Sequence, residues 1–230
     1  MSAAEIGRLT QEVNALLRAG QLMNAVAPLY KISKLAPSWA DGFVQLGTVL
    51  HNLERFDEAS QAFASAVKLV PDNAAVHGLL GRSLFAARKF EAGEAALRQA
   101  LRVDPKSLES LVVLATNLVS QSRLVEAERL TNHAFAMNPT WLPGVYYSGV
   151  VRYRQKRFQD AHLFFWQMTK QAPAMKEATL FLARTIGNLG QVEAAVALLR
   201  AAANQHPGFN RMADRMSWSL RPADLLAAME

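Results

Sequence analysis

Residues 43–73 read FVQLGTVLHNLERFDEASQAFASAVKLVPDN. Apolar or small residues recur at helical spacing on both sides of a polar break near Leu53–Arg55: Leu46 and Leu50 before it, then Phe56, Ala59, Phe63 and Ala66. That is the pattern of two consecutive amphipathic helices. Pro71 closes the stretch, because proline cannot continue an interior helical hydrogen-bond ladder. The same landmarks recur in both directions. Prolines stand at 37, 71, 105, 139, 173 and 207, a constant spacing of 34. Twelve residues before each comes a small residue: Ala25, Ala59, Gly93, Ala127, Ala161 or Ala195. Twelve before that stands Val13, Gly47, Gly81, Ala115, Gly149 or Ala183. Three columns in phase mark a tandem repeat. Their smallness predicts helices packed at a short interaxial distance, and Phe56, Phe90, Phe158, Leu22 and Leu124 are placed to lock the turn between each pair.

These columns resemble the tetratricopeptide repeat, whose pattern sets a large residue, Leu-Gly/Ala, then Ala, an aromatic, Ala and Pro at these intervals. The units expected are 6–39, 40–73, 74–107, 108–141, 142–175 and 176–209 within a domain 1–209. Segment 210–230 leaves the register and is expected to form capping helices, Asn210–Ser219 and one opened by Pro222. The resemblance implies an all-α, right-handed α-solenoid whose concave groove is lined mainly by the first helix of each unit. Departures are Glu12-Val13 where Leu-Gly is usual, Pro28 inside a second helix, and Ser148 and Arg152 where most units carry leucine.

Composition narrows the function. The 230 residues are 51% hydrophobic and 19% charged, too apolar for a disordered chain, and the absence of cysteine excludes disulfides, thiolate metal sites and a cysteine nucleophile. No run of 18 apolar residues exists to span a membrane as a helix. Glu5, Arg8, Glu12 and Arg18 fall where a signal peptide needs its apolar stretch, so a cytoplasmic location is expected. The five histidines sit in different units without an i,i+4 partner, and no Gly-rich phosphate loop occurs. Acidic pairs such as Asp57-Glu58 open second helices, where the helix dipole favours them. Neither enzyme activity, nor a metal, nor a cofactor is expected.

In the register that the resemblance implies, the second, fifth, ninth, twelfth and thirteenth residues of each unit face the groove. The expected partner-binding residues are Arg82, Phe85, Val112, Thr116, Val119, Tyr146, Val150, Tyr153, Arg154, Leu180, Arg184 and Asn188. An apolar floor with arginines suits a peptide or protein carrying apolar anchors and acidic residues. Some family members hold a C-terminal carboxylate with a lysine and asparagines at the fifth and ninth positions. Here no fifth position is lysine and only Asn14 among the ninth is asparagine, which argues against such a clamp. Charge agrees: residues 1–117 hold 12 basic and 11 acidic residues, whereas 118–230 hold 13 and 8. The run Arg152-Tyr153-Arg154-Gln155-Lys156-Arg157 is too short for a nucleic-acid stripe. Seven of the 19 aromatic residues lie in 142–175, and Trp166 is expected to mark a second surface on the convex side. The expected function is a non-catalytic protein-interaction scaffold. The alternative is a substrate-recruiting arm of a glycosyltransferase or sulfotransferase, which bacterial proteins of this look often precede. End-to-end self-association is a third expectation, since weakly capped repeats can stack.

Overall fold

A computed structural model describes residues 3–205, and it is helical from end to end. Twelve helices run in chain order: α1 (Ala3–Arg18), α2 (Leu22–Leu35), α3 (Ala40–Asn52), α4 (Phe56–Leu69), α5 (Ala74–Ala86), α6 (Phe90–Val103), α7 (Leu108–Ser120), α8 (Leu124–Met137), α9 (Leu142–Arg154), α10 (Phe158–Gln171), α11 (Lys176–Asn188) and α12 (Val192–Gln205). No strand occurs among the described residues. Pro207 and the expected capping helices of 210–230 lie outside them.

Local chemistry sets the helix ends. Each of α2, α4, α6, α8 and α10 stops at a residue whose N–H still reaches the carbonyl four back, as Ala36 to Ile32 at 2.8 Å and Asp104 to Ala100 at 2.8 Å. The next residue is proline at 37, 71, 105, 139 and 173, which has no N–H to extend the ladder. The turn inside each helix pair uses a left-handed residue: Gly20 (φ 70°), Glu54 (60°), Arg88 (62°), Ser122 (62°), Lys156 (61°) and Gly190 (84°). Glu54 and Arg55 then satisfy the last carbonyls of α3, donating to His51 at 3.0 Å and Leu50 at 2.9 Å. Four of these six positions are not glycine, so packing of the flanking helices outweighs a local backbone cost. Helix α2 runs unbroken through Pro28.

The chain divides into two compact units, residues 1–121 and 122–230. In the first, each helix from α1 to α7 packs on the next, and α5 also touches α3 and α7. Its core joins Val13, Leu29, Leu50 and Phe63. In the second, α8 to α12 pack in the same succession, with α9 against α11.

The small columns are where helices meet. Ala25, Ala59, Ala127, Ala161 and Ala195 are all fully buried. A Cβ on Gly81 would lie 2.5 Å from Leu97 Cγ and 3.0 Å from the Gly93 carbonyl oxygen. Gly81→Val should therefore cost about 1–3 kcal/mol through overpacking, although leaving glycine improves helix propensity by a few tenths of a kcal/mol. Urea unfolding measures this; a variant as stable as the parent would refute the packing.

Candidate partner-binding surface

In the second unit, α9 and α11 present one continuous face. Tyr146, Val150 and Tyr153 follow one another at helical spacing on α9, and Leu180, Arg184 and Asn188 do so on α11. Phe181 ties the two helices together. Its ring lies 5.8 Å from Tyr146 and 5.6 Å from Tyr153, both edge-on, and stacks on Phe165 at 5.0 Å. Val150 packs on the same cluster. The Asn188 amide donates to the Tyr153 hydroxyl at 3.1 Å and to the Arg184 carbonyl at 2.8 Å. Burial, with the neighbouring Tyr147 and Glu177, pushes the Tyr146 phenol up to about 12. Tyr146 is thus a neutral, half-buried floor residue at physiological pH. Arg154 and Arg184 are exposed, and neither forms an ion pair within the described residues. The arrangement is an aromatic floor edged by two unopposed cations.

Phe181 was not among the expected site residues. The signal available was the spacing of one helical residue from Leu180, which the groove register passes over. Its role arises because α11 meets both α9 and α10 at that ring.

The basic run 152–157 is dispersed by the fold. Arg152 is 7% exposed and occupies a column that is Leu16, Leu50, Leu84, Leu118 or Ile186 elsewhere. Its guanidinium donates to the Asn132 side chain and to the Ser148 carbonyl, lies 3.7 Å from Glu128, and sits 4.7 Å over the Phe164 ring. Arg157 pairs with Glu128 at 2.7 Å and Asp160 at 2.6 Å. Only Arg154 and Lys156 of the run remain exposed cations without an ion pair among the described residues.

In the first unit, Arg82 is already paired with Glu109 at 2.8 Å. Phe85 packs on Phe90 at 5.8 Å, and the Thr116 hydroxyl bonds the Val112 carbonyl at 2.9 Å. Val112 and Val119 are buried, so they are core residues of α7 and not accessible contacts. The reason is that α7 is apolar on most of its circumference, with eight of its residues buried. His51 Nδ1 lies 2.9 Å from the Ser83 hydroxyl, a pairing that spacing did not reveal. Ser83 is fully buried, which closes it to a substrate, and burial lowers the His51 imidazole below its ordinary value. No group of acidic or histidine side chains among the described residues is arranged to hold a metal ion. No described helix is long and apolar enough to cross a membrane.

Trp166 is exposed on α10, whereas its neighbour Phe165 is fully buried.

Comparison with known proteins agrees with this architecture. The model of the tetratricopeptide repeat matches residues 44–87 and 79–134. No protein with a curated description matches the sequence significantly. Among solved structures, that of PilW, a "widely conserved type IV pilus biogenesis factor", is 17% identical with a TM-score of 0.78, covering 90% of this chain and 96% of PilW. A tetratricopeptide repeat protein from Parabacteroides merdae is 12% identical with a TM-score of 0.76, covering 97% of this chain and 96% of its own. PilF of Pseudomonas aeruginosa is 16% identical with a TM-score of 0.71, covering 89% of this chain and 93% of its own. At these identities the likeness is one of fold. The 34-residue register and the helix pairs that follow it carry the tetratricopeptide-repeat pattern, which the family model matches over residues 44–134.

Proposed function

We propose that this protein is a non-catalytic scaffold that holds a peptide or protein partner on the face shared by α9 and α11. The family fold is consistent with a protein-interaction scaffold. The observation that carries the finer reading is the pair of exposed, unopposed arginines, Arg154 and Arg184, beside the half-buried aromatic floor of Tyr146, Tyr153 and Phe181. Aromatic and arginine side chains dominate interface hot spots because they bury large areas and still offer directed polar contacts. Apolar anchors of the partner would rest on Tyr146, Val150, Tyr153 and Leu180, while its carboxylates meet Arg154 and Arg184. Asn188, already oriented by Tyr153, would read the partner's backbone. In the first unit, Arg82, Phe85 and Thr116 are further proposed contacts, and Val112 and Val119 are withdrawn because they are buried. A cytoplasmic location belongs to the same proposal.

The test starts from a partner recovered by pull-down and mass spectrometry from the native cell. Calorimetric titration of the double variant Tyr153→Ala, Arg154→Ala should show a loss of about 2 kcal/mol or more in binding, with the circular-dichroism spectrum unchanged. Asn52→Ala, an exposed position of the first unit, serves as the comparison. Equal and small losses at both places would end the proposal.

A further inference from the structure

The outer face of α10 carries two large apolar side chains that the described residues leave uncovered. Leu163 is 64% exposed and Trp166 is 52% exposed. They are three residues apart and so share one side of the helix. Repeat packing does not require them. The position of Leu163 holds Ala27, Gln61, Ala95, Arg129 or Ala197 in the other units, and that of Trp166 holds Tyr30, Ala64, Arg98, Asn132 or Arg200. Where a large ring does occur, at Tyr30, its hydroxyl is bonded to Glu58 at 2.8 Å. The Lys170 ammonium lies 5.6 Å from the centre of the Trp166 ring. Large side chains exposed in register positions that elsewhere are small or polar indicate a surface kept for a partner.

Charge identifies the kind of partner. Helices α8, α10 and α12 are successive second helices of the repeat, so equivalent positions lie at the same level. Arg129 on α8 is level with Leu163, and Arg200 on α12 is level with Trp166. Arg129, Lys170 and Arg200 are all exposed, and none forms an ion pair within the described residues. The acids of these helices are Glu126, Glu128, Asp160 and Glu193. Glu126 is taken by Arg123, and Glu128 and Asp160 are taken by Arg157. Glu193 stands in the first turn of α12, about two turns from Arg200. The apolar centre is therefore flanked by free cations. A second copy docking by the same face would set cation against cation. Insertion into a bilayer needs a broad apolar face, whereas here Leu163 and Trp166, with Val125 exposed on α8, stand among exposed cations. A protein hot spot, by contrast, is built from a few residues, with tryptophan and arginine the most enriched.

We infer that the α10 face is a second docking site, distinct from the α9–α11 face, for an acidic protein segment. Leu163 and Trp166 are its apolar anchors, and Arg129, Lys170 and Arg200 pair with its carboxylates.

A photo-crosslinking amino acid at position 163 of the full chain, irradiated in lysate of the native cell, tests this directly. Mass spectrometry of the adduct should return one protein segment rich in Asp and Glu. The synthetic segment should then bind the purified chain, and more weakly as salt is added. Trp166→Ala should weaken binding about tenfold or more, and so should Arg129→Glu combined with Arg200→Glu. Leu163→Ser repeats the measurement if Trp166→Ala proves unstable. Tyr153→Ala, Arg154→Ala should leave this binding unchanged, which separates failure here from failure of the α9–α11 proposal. Adducts to lipid, to a second copy or to a neutral or basic segment would overturn the inference, as would no adduct or binding indifferent to both variants.

Discussion

Phe165→Ala is expected to remove about 3–5 kcal/mol of folding free energy, the range for deleting a fully buried aromatic ring. Phe165 is completely buried, and its ring fills the space that Gly149 leaves, with Cε1 2.9 Å from where a Cβ on that glycine would stand. The same ring stacks on Phe181 at 5.0 Å and meets Tyr146 edge-on at 6.1 Å. Removing the ring should therefore also loosen the floor of the α9–α11 face. Urea unfolding of the parent and variant gives the energy, and near-ultraviolet circular dichroism reports the aromatic packing. A loss below about 1 kcal/mol would mean that Phe165 does not organise this core.

The second large effect concerns Arg152 and Glu128, and its sign depends on which partner is removed. Burial opposes both charges. For Arg152 it outweighs the attraction of Glu128 and lowers the guanidinium below its ordinary value. For Glu128 burial is more than offset by hydrogen bonds from Gln155 and Arg157 and by the charges of Arg157 and Arg152, so its carboxyl stays below the ordinary 4.5. Glu128→Ala leaves Arg152 buried without its counter-charge and should cost about 3 kcal/mol. Arg152→Leu restores the residue type of the column and should lie within about 1 kcal/mol of the parent, or above it, because replacing a buried ion by a well-packed apolar side chain is often neutral. Arg157 still neutralises Glu128 in that variant. Acidity supplies an independent check. A carboxyl held below its unfolded value contributes stability that is present above pH 4.5 and lost as pH falls through the folded value. The difference between parent and Glu128→Ala should shrink on acidification below that point. Equal losses in Glu128→Ala and Arg152→Leu would show the arginine to be a net stabiliser.

Much of the fold is legible in three columns of residues because repeat packing is local. Within 1–121 and within 122–230 each helix touches its sequence neighbours, so a small residue at 81 or 127 and a proline at 71 or 105 act on the helices next to them in the chain. The site is less legible. Tyr146 and Tyr153 do share one cluster, and Asn188 bonds Tyr153, whereas Leu180 packs on the cluster of Ala183, Ala195 and Leu199. Register alone did not separate Val150, on the aromatic cluster, from Val112 and Val119, which are buried in α7. Periodicity says which side of a helix a residue takes, but burial depends on what covers that side.

The spacing of 34, the two helices per unit and the proline stops follow from residue size and hydrogen-bond capacity along the chain, which are properties of the amino acids themselves. The fate of each charge does not follow from them. Arg152 and Arg154 are two residues apart in one basic run, yet one is buried beside Glu128 and Phe164 and the other stands free at the edge of the aromatic floor. Phe181 belongs to the floor because α11 brings it against Tyr146, Tyr153 and Phe165. The physical reason is range. Propensity and periodicity act over a few residues, whereas a charge is neutralised or an aromatic ring is covered by side chains 20 to 35 positions away, and those meet only after the helices have packed.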